Sequence, residues 1–141
     1  MRSQRSLFRI LDANANRALE GMRVCEDIVR FDLESPPAFR HLRALRHGVA
    51  RAVSQLPVSR LELVKTRASA HDVGKRAPAS RLLSIEHMLL INFQRAKEAL
   101  RVLEECARLL IPDVSATFQR LRFRTYEVER DTLLLAALRH R

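Results

Sequence analysis

Two copies of one polar pattern combine the side chains that bind phosphate, metal ions and uncharged rings. An Asn, an Arg and a Glu follow one another at spacings of three residues, and the triplet recurs 78 positions later. The six residues are Asn14, Arg17, Glu20, Asn92, Arg95 and Glu98. Arginine binds phosphate oxygens in a bidentate manner, carboxylates hold Mg²⁺ or accept protons, and asparagine amides hydrogen-bond uncharged rings. The pattern therefore suits a small phosphorylated ligand.

The triplets belong to a longer internal repeat, because eight of seventeen residues are identical between 14–30 and 92–108. Helical spacing stacks the apolar residues of each copy on one face, namely Ala18, Met22, Cys25 and Val29, then Ala96, Leu100, Leu103 and Ala107. Asn14 and Asn92 lie near the centre of that face, where an unbonded polar group costs about 1–3 kcal/mol. Two interpretations remain open: a buried network that links the two helices, or a polar pocket in the seam between them.

Three further matched positions lie on the opposite side of each helix. They are Arg23, Glu26 and Arg30 in the first copy, and Arg101, Glu104 and Arg108 in the second. Spacings of three and four residues allow ion pairs on a helix surface, each contributing a few tenths of a kcal/mol. The sequence predicts a solvated ion-pair ladder here rather than a binding site.

The segment 57–80 between the copies loses the helical pattern, apart from one possible turn at 61–64. It exceeds the 12–15 residues that a compact domain normally leaves irregular, and long loops are often functional. Its candidate residues are Arg67, Ser69, Asp72 and Gly74, with His71 as a weaker candidate. We expect 66–76 to close over the seam, with Arg67 on phosphate and Asp72 holding Mg²⁺ or accepting a proton. Substitutions of Arg67 and Asp72 should cost no more than about 1 kcal/mol of stability.

The chain as a whole is predicted to be all-α. The four predicted helices cover 7–33, 36–56, 81–111 and 114–139, and Asp113 or Ser115 is expected to cap the last. One domain, 1–141, then contains two helical hairpins, 7–56 and 81–141, joined by the loop 57–80. The repeat relates the hairpins by a pseudo-twofold axis, giving a four-helix bundle with a long central loop. Gly21 and Ala99 would allow the two repeat helices to approach closely.

Composition narrows the possible partners. The 26 basic residues exceed the 16 acidic ones, for a formal net charge of +10, which favours phosphorylated or otherwise acidic partners. The charge is scattered, and six Phe and one Tyr supply few stacking platforms for nucleic acid. Without an apolar membrane span or secretory signal, we expect a cytoplasmic protein. Cys25 and Cys106 lie on apolar faces and are predicted to be reduced core thiols.

The usual catalytic motifs are missing from the sequence. It contains no glycine-rich phosphate loop, no zinc-binding His-Glu-x-x-His and no Gly-x-Ser-x-Gly nucleophile turn. Phosphoryl transfer, however, requires little beyond positioned cations and a carboxylate near the attacking oxygen.

A known family shares the combination of these segments. They are Asp12-Ala-Asn14-x-Asn16-Arg17-x-x-Glu20-Gly21, Leu45-Arg46-His47, Arg67-x-Ser69-x-x-Asp72-Val-Gly74, Asn92-Phe-x-Arg95-Ala-x-Glu98 and Leu121-Arg122-x-Arg124. The chain resembles, over nearly its whole length, the small helical domain fused to the N-terminus of some bacterial thiamine-phosphate synthases. That family is regarded as an alternative hydroxymethylpyrimidine phosphate kinase, unrelated in fold to the ribokinase-like enzyme.

The resemblance implies ATP- and Mg²⁺-dependent phosphorylation of hydroxymethylpyrimidine phosphate to its diphosphate. Among the residues of the matching motifs, we predict catalysis by Arg67, Asp72 and Glu98, substrate or phosphate binding by Asn14, Arg17, Glu20, Ser69, Gly74, Asn92 and Arg95, and Mg²⁺ binding by Asp72 and Glu20. Since no synthase domain follows residue 141, we expect the chain to act alone or with a separate thiamine-phosphate synthase. A homo-oligomer is left open.

One departure from the family pattern keeps other functions open. Members usually carry Asp or Asn after the loop arginine, where this sequence has Ala68. The alternatives are a non-catalytic binder of a phosphorylated metabolite, which Ala68 favours, and a basic helical nucleic-acid-binding protein.

Overall fold

Five α-helices form the regular framework of residues 2–140, the part of the chain that the computed structural model describes. They are α1 (Arg2–Ile28), α2 (Pro36–Ser54), α3 (Arg60–Lys65), α4 (Ile85–Leu110) and α5 (Pro112–Arg139). Within 2–140 there is no strand, which confirms the all-α prediction, and no helix is long and apolar enough to cross a membrane. The first and last residues of the predicted 1–141 domain lie outside this range.

The four long helices form a closed ring of neighbours. Helix α1 packs against α4, α4 against α5, α5 against α2, and α2 against α1. This arrangement is a four-helix bundle in which the two repeat helices touch, as predicted. Exchanging α1 with α4 and α2 with α5 leaves the ring unchanged, as a pseudo-twofold axis requires. The short helix α3 lies against α1.

The close contact between α1 and α4 depends on Gly21. A Cβ atom at this position would lie 2.9 Å from the carbonyl oxygen of Asn92 on α4. The apolar faces predicted for both copies are fully buried, including Met22 and Leu100. The sequence thus indicated which faces meet, and the missing side chain of Gly21 explains how closely they meet.

Several helix boundaries differ from those predicted. Helix α1 begins earlier, at Arg2, and ends in a π-helical turn, Val29–Leu33. Helix α4 begins at Ile85, because the Ser84 hydroxyl accepts a hydrogen bond from the His87 amide. Helix α5 begins at Pro112, so neither Asp113 nor Ser115 caps it. Ser115 is buried instead, and its hydroxyl donates to the Glu104 carbonyl on α4.

The predicted solvated ladder is wrong for its two glutamates. Glu26 and Glu104 are only 3% and 6% exposed. Each accepts a hydrogen bond from an arginine of the next long helix, Arg46 on α2 and Arg122 on α5. The local spacing favoured surface pairs, but both carboxylates face the neighbouring helix and are neutralised there. These equivalent buried ion pairs show that the two hairpins are built alike.

Candidate functional site

A cleft of about 550 Å³ lies in the seam between α1 and α4. Both repeated triplets line it, so Asn14, Arg17 and Glu20 meet Asn92, Arg95 and Glu98 in one place. Gly21 and Ala99 form its floor together with apolar side chains. We call this feature the seam cleft. It is of the size typical of small-molecule sites.

The two asparagines are oriented in the same way. The Asn14 amide donates to the carbonyl of Ile10 at 2.9 Å, and the Asn92 amide donates to that of Met88 at 2.8 Å. Both residues are buried. Each amide is therefore held by its own helix and not by the other, which goes against the first of the two interpretations, a buried network between the helices. Fixed amides at the cleft wall fit the alternative, a polar pocket.

The charged residues of the cleft remain available for a ligand. Arg17, Glu20, Arg95 and Glu98 are all exposed. The Arg17 guanidinium makes one long hydrogen bond, 3.5 Å, to the Asn14 side chain. The other three form no salt bridge with any residue in 2–140. Two cations and two carboxylates thus face one cleft with their hydrogen-bonding capacity largely unused.

A second cavity, of about 330 Å³, lies where the connecting loop meets α1. We call it the loop cavity. Arg67, Ala68, Ser69 and Asp72 supply its loop side, and it shares Asn14 and Arg17 with the seam cleft. Its lining contains no residue of α4. The loop therefore lies beside the seam against α1, and not over the seam as expected.

Arg67 is held by a residue of α1 that the sequence did not predict as its partner. Its guanidinium donates two hydrogen bonds, of 2.6 and 2.9 Å, to the carboxylate of Asp12. This hydrogen bonding raises the pKa of Arg67 above its ordinary value. Asp12 belongs to the quoted α1 pattern, yet Leu90 occupies its repeat position. This difference between equivalent positions was the sequence signal that could have singled out Asp12.

The remaining loop residues divide between the cavity and solvent. Asp72 accepts a 2.7 Å hydrogen bond from the Gly74 amide, which shapes the turn that follows. Gly74 itself lines neither cavity, and residues 71–85 are all exposed. No glycine in 2–140 has a positive φ. The structure therefore places Ser69 and Asp72 near the candidate site, and leaves Gly74 and His71 outside it.

The two predicted magnesium ligands, Glu20 and Asp72, line different cavities. Mg²⁺ is usually held by one or two carboxylates together with substrate phosphates. Glu20 and Glu98 line the same cleft, whereas Asp72 lines the loop cavity. Among residues 2–140 there is no cluster of three or more His, Cys, Asp or Glu side chains that could bind a metal without a ligand's help.

Both cysteines are free and buried, as predicted. Burial raises the pKa of the Cys25 and Cys106 thiols, so both remain protonated near neutral pH. The Cys25 thiol donates to the Leu89 carbonyl at 3.7 Å. They contribute to packing and lie outside the site.

Comparison with known proteins agrees with the motifs. The ThiD2 family model matches residues 9–131, which include the seam cleft and the loop cavity residues from Arg9 onward. The chain belongs to the ThiD2 family. This finding confirms the resemblance noted from the sequence. No solved structure matches the chain.

Curated relatives of this ThiD2 chain carry the name thiamine-phosphate synthase. One from a Nostoc species is 36% identical over 97% of this chain and 38% of its own length. One from Gloeobacter violaceus is 36% identical over 87% and 35%, and one from Rhodopirellula baltica is 32% identical over 94% and 36%. The chain thus spans little more than a third of these relatives.

Proposed function

We propose that this chain is a kinase of thiamine biosynthesis that converts hydroxymethylpyrimidine phosphate to its diphosphate with ATP and Mg²⁺. The observation that carries the proposal is the seam cleft, in which two triplets present fixed amides and unpaired charges. Membership of the ThiD2 family and the relatives named thiamine-phosphate synthase support the pathway. A separate thiamine-phosphate synthase is the proposed partner that uses the product.

The proposed reaction joins two phosphates. A phosphate oxygen of the acceptor attacks the terminal phosphorus of ATP, a new P–O–P bond forms, and the bond to the departing ADP breaks. With a second pKa of about 6, the acceptor phosphate is largely ionised near neutral pH. The step therefore needs no general base, and Asp72 is not required to accept a proton. Its place in the loop cavity suits an orienting role.

The cleft residues have complementary tasks in this proposal. Arg17 and Arg95 bind phosphate oxygens and offset the charge that brings two phosphates together. The side-chain oxygens of Asn14 and Asn92 accept hydrogen bonds from an amino-substituted ring. Glu20 and Glu98 would hold Mg²⁺, which supplies further positive charge to the phosphate oxygens.

One observation favours a second function, the binding of a phosphorylated metabolite without catalysis. Ala68 lines the loop cavity and offers no polar side-chain atom to a ligand. If the reaction needs a polar group at this position, binding would survive while turnover is lost.

Phosphorus NMR of the purified chain with ATP, Mg²⁺ and hydroxymethylpyrimidine phosphate separates the two functions. The kinase proposal predicts ADP and the pyrimidine diphosphate in equal amounts. Substrate binding by calorimetry with no product would favour the binder. Neither binding nor product would contradict both.

A further inference from the structure

A third cavity, of about 330 Å³, lies between α1, α2 and α3. We call it the α3 cavity. Half of its lining residues are small or apolar, namely Ala15, Leu19, Ala50, Val53, Val58 and Leu63, and the polar ones include Asn16, Ser54, Ser59 and Arg60. Asp12 and Arg67 close one end. Apolar walls with a few convergent polar groups are typical of sites for flat organic ligands.

The second hairpin carries larger or charged side chains at several positions equivalent to those that line the α3 cavity, although it is built like the first. The equivalent buried ion pairs, Glu26 with Arg46 and Glu104 with Arg122, set the correspondence between hairpins. By that correspondence Ala15 is replaced by Phe93, and Ala50 by Tyr126. Large rings thus replace two alanines.

An ion pair occupies two further equivalent positions in the second hairpin. Lys97 and Glu129 stand where the first hairpin has Leu19 and Val53. The Lys97 ammonium lies 2.8 Å from a Glu129 oxygen and 4.8 Å from the centre of the Tyr126 ring. Side chains of the second hairpin therefore occupy four positions that border the α3 cavity in the first hairpin.

The three cavities follow one another around α1. The α3 cavity shares Asp12 and Arg67 with the loop cavity, and the loop cavity shares Asn14 and Arg17 with the seam cleft. Arg9 adds a third arginine to the loop cavity. The series therefore runs from the partly apolar α3 cavity, through a loop cavity lined by three arginines and two aspartates, to the cleft with the paired triplets.

We propose that the α3 cavity binds the base of the nucleotide donor. The phosphates of the nucleotide would extend from the base through the loop cavity, past Arg67 and Arg9. The terminal phosphoryl group would then lie at Arg17. A nucleoside triphosphate matches this order, since it has a flat, weakly polar ring at one end and anionic groups at the other. Bidentate pairing with Arg67 neutralises Asp12, so its carboxylate does not repel the phosphates.

This assignment rests on the proposed kinase function and adds a place for each substrate. The acceptor occupies the seam cleft, and the two ligands meet at Asn14 and Arg17, which both cavities share. The terminal phosphoryl group leaves ADP there and joins the acceptor's phosphate oxygen. This assignment also explains why the two hairpins differ, because the donor and the acceptor are different molecules.

The second hairpin supplies the variant that tests the assignment. Ala50→Tyr introduces the residue found at the equivalent position 126, and Ala50 is exposed on α2, so the fold should persist. Ala44→Tyr is the matched control, because Ala44 is exposed on the same helix and lines none of the three cavities. Melting temperatures of both variants establish that folding is intact.

Calorimetry with ADP, and separately with hydroxymethylpyrimidine phosphate, provides the readout. We expect Ala50→Tyr to weaken ADP binding at least tenfold and to leave binding of the pyrimidine phosphate within twofold. Ala44→Tyr should change neither. Wild-type ADP affinity in Ala50→Tyr, or no ADP binding by the unmodified chain, would overturn the α3 cavity as the nucleotide site.

The outcomes also separate this inference from the proposed function. If the unmodified chain forms the diphosphate and Ala50→Tyr keeps its KM for ATP, the kinase function stands and the assignment of the α3 cavity is wrong. If Ala50→Tyr loses ADP binding but the unmodified chain forms no diphosphate, the nucleotide site stands and the kinase function fails.

Discussion

The guanidinium of Arg67 and the carboxylate of Asp12 form a bidentate pair that joins the connecting loop to α1. The Asp12 side chain is 11% exposed, so its charge depends on this partner. Arg67 itself is 43% exposed and borders both the loop cavity and the α3 cavity. The pair thus fixes one arginine between two cavities and fixes the loop at the same time.

Arg67→Ala should therefore destabilise the protein by more than the sequence suggested. The substitution leaves the largely buried Asp12 carboxylate without its partner, so the free energy of unfolding should fall measurably. Denaturant unfolding measures this loss. Arg76→Ala, an exposed change in the same loop, is the control and should have little effect.

A double-mutant cycle tests whether the pair is the cause. Adding Asp12→Asn to Arg67→Ala removes the unpaired charge, so the double variant should lose less stability than the two single changes together. Additive losses would show that Arg67 and Asp12 do not depend on each other.

Gly21→Ala should be destabilising although alanine is the better helix former. The added Cβ would lie 2.9 Å from the Asn92 carbonyl oxygen, and a backbone atom cannot move aside easily. We expect a loss of about 1–3 kcal/mol in thermal or chemical unfolding. Gly48→Ala is the control, because its Cβ would meet only side-chain ends, those of Leu121 at 3.1 Å and Arg51 at 3.8 Å. A neutral Gly21→Ala would mean that α1 and α4 are not packed this closely.

Replacing either buried glutamate should lower the free energy of unfolding of the bundle. Glu26→Ala leaves Arg46 without its partner, and Glu104→Ala does the same to Arg122, so each should cost about 3–5 kcal/mol. Asp27→Ala is a suitable control, since Asp27 is half exposed and pairs with Arg23 at 3.5 Å. Its loss should stay below about 1 kcal/mol. Equal, small effects of all three changes would contradict the buried pairs.

The buried Cys25 thiol should make stability depend on alkaline pH. Its pKa is raised in the folded chain, whereas the unfolded thiol ionises near its ordinary value of about 8.5. The folded state therefore retains a proton that the unfolded state loses. Stability is fully present below about pH 8.5 and declines as pH rises toward the folded value, by up to about 1.4 kcal/mol per pH unit. Chemical unfolding from pH 7 to 10 should show this slope reduced in Cys25→Ala, and an unchanged slope would contradict it.

The sequence could predict the bundle and the seam because both depend on periodic patterns. Apolar residues at helical spacing identified the buried faces, and the repeat identified which two helices are equivalent. Asn14 and Asn92 could be recognised as candidate site residues because they are polar and lie within those apolar faces. The seam cleft could therefore be predicted from the spacing within each copy and from the repeat that relates the two copies.

The errors arise where the partner is distant. Glu26 was assigned to the surface from its neighbours on α1, yet its partner Arg46 lies on the next helix. Likewise the difference between Asp12 and its repeat counterpart Leu90 does not identify a partner, and only the fold brings Arg67 to Asp12 across 55 positions. Short-range spacing carries no information about such contacts, so the loop was placed over the seam instead of beside it.

The most direct test of the seam cleft as the active site compares arginines of α1 and α4. We expect Arg17→Ala and Arg95→Ala each to lower kcat/KM for diphosphate formation by about a hundredfold or more, as the loss of a charge-stabilising donor does. Arg23→Ala, an exposed change two turns beyond Arg17 on α1, should keep kcat/KM within twofold of the unmodified chain. If Arg17→Ala and Arg95→Ala turned over as fast as Arg23→Ala, the reaction would not take place in the seam cleft.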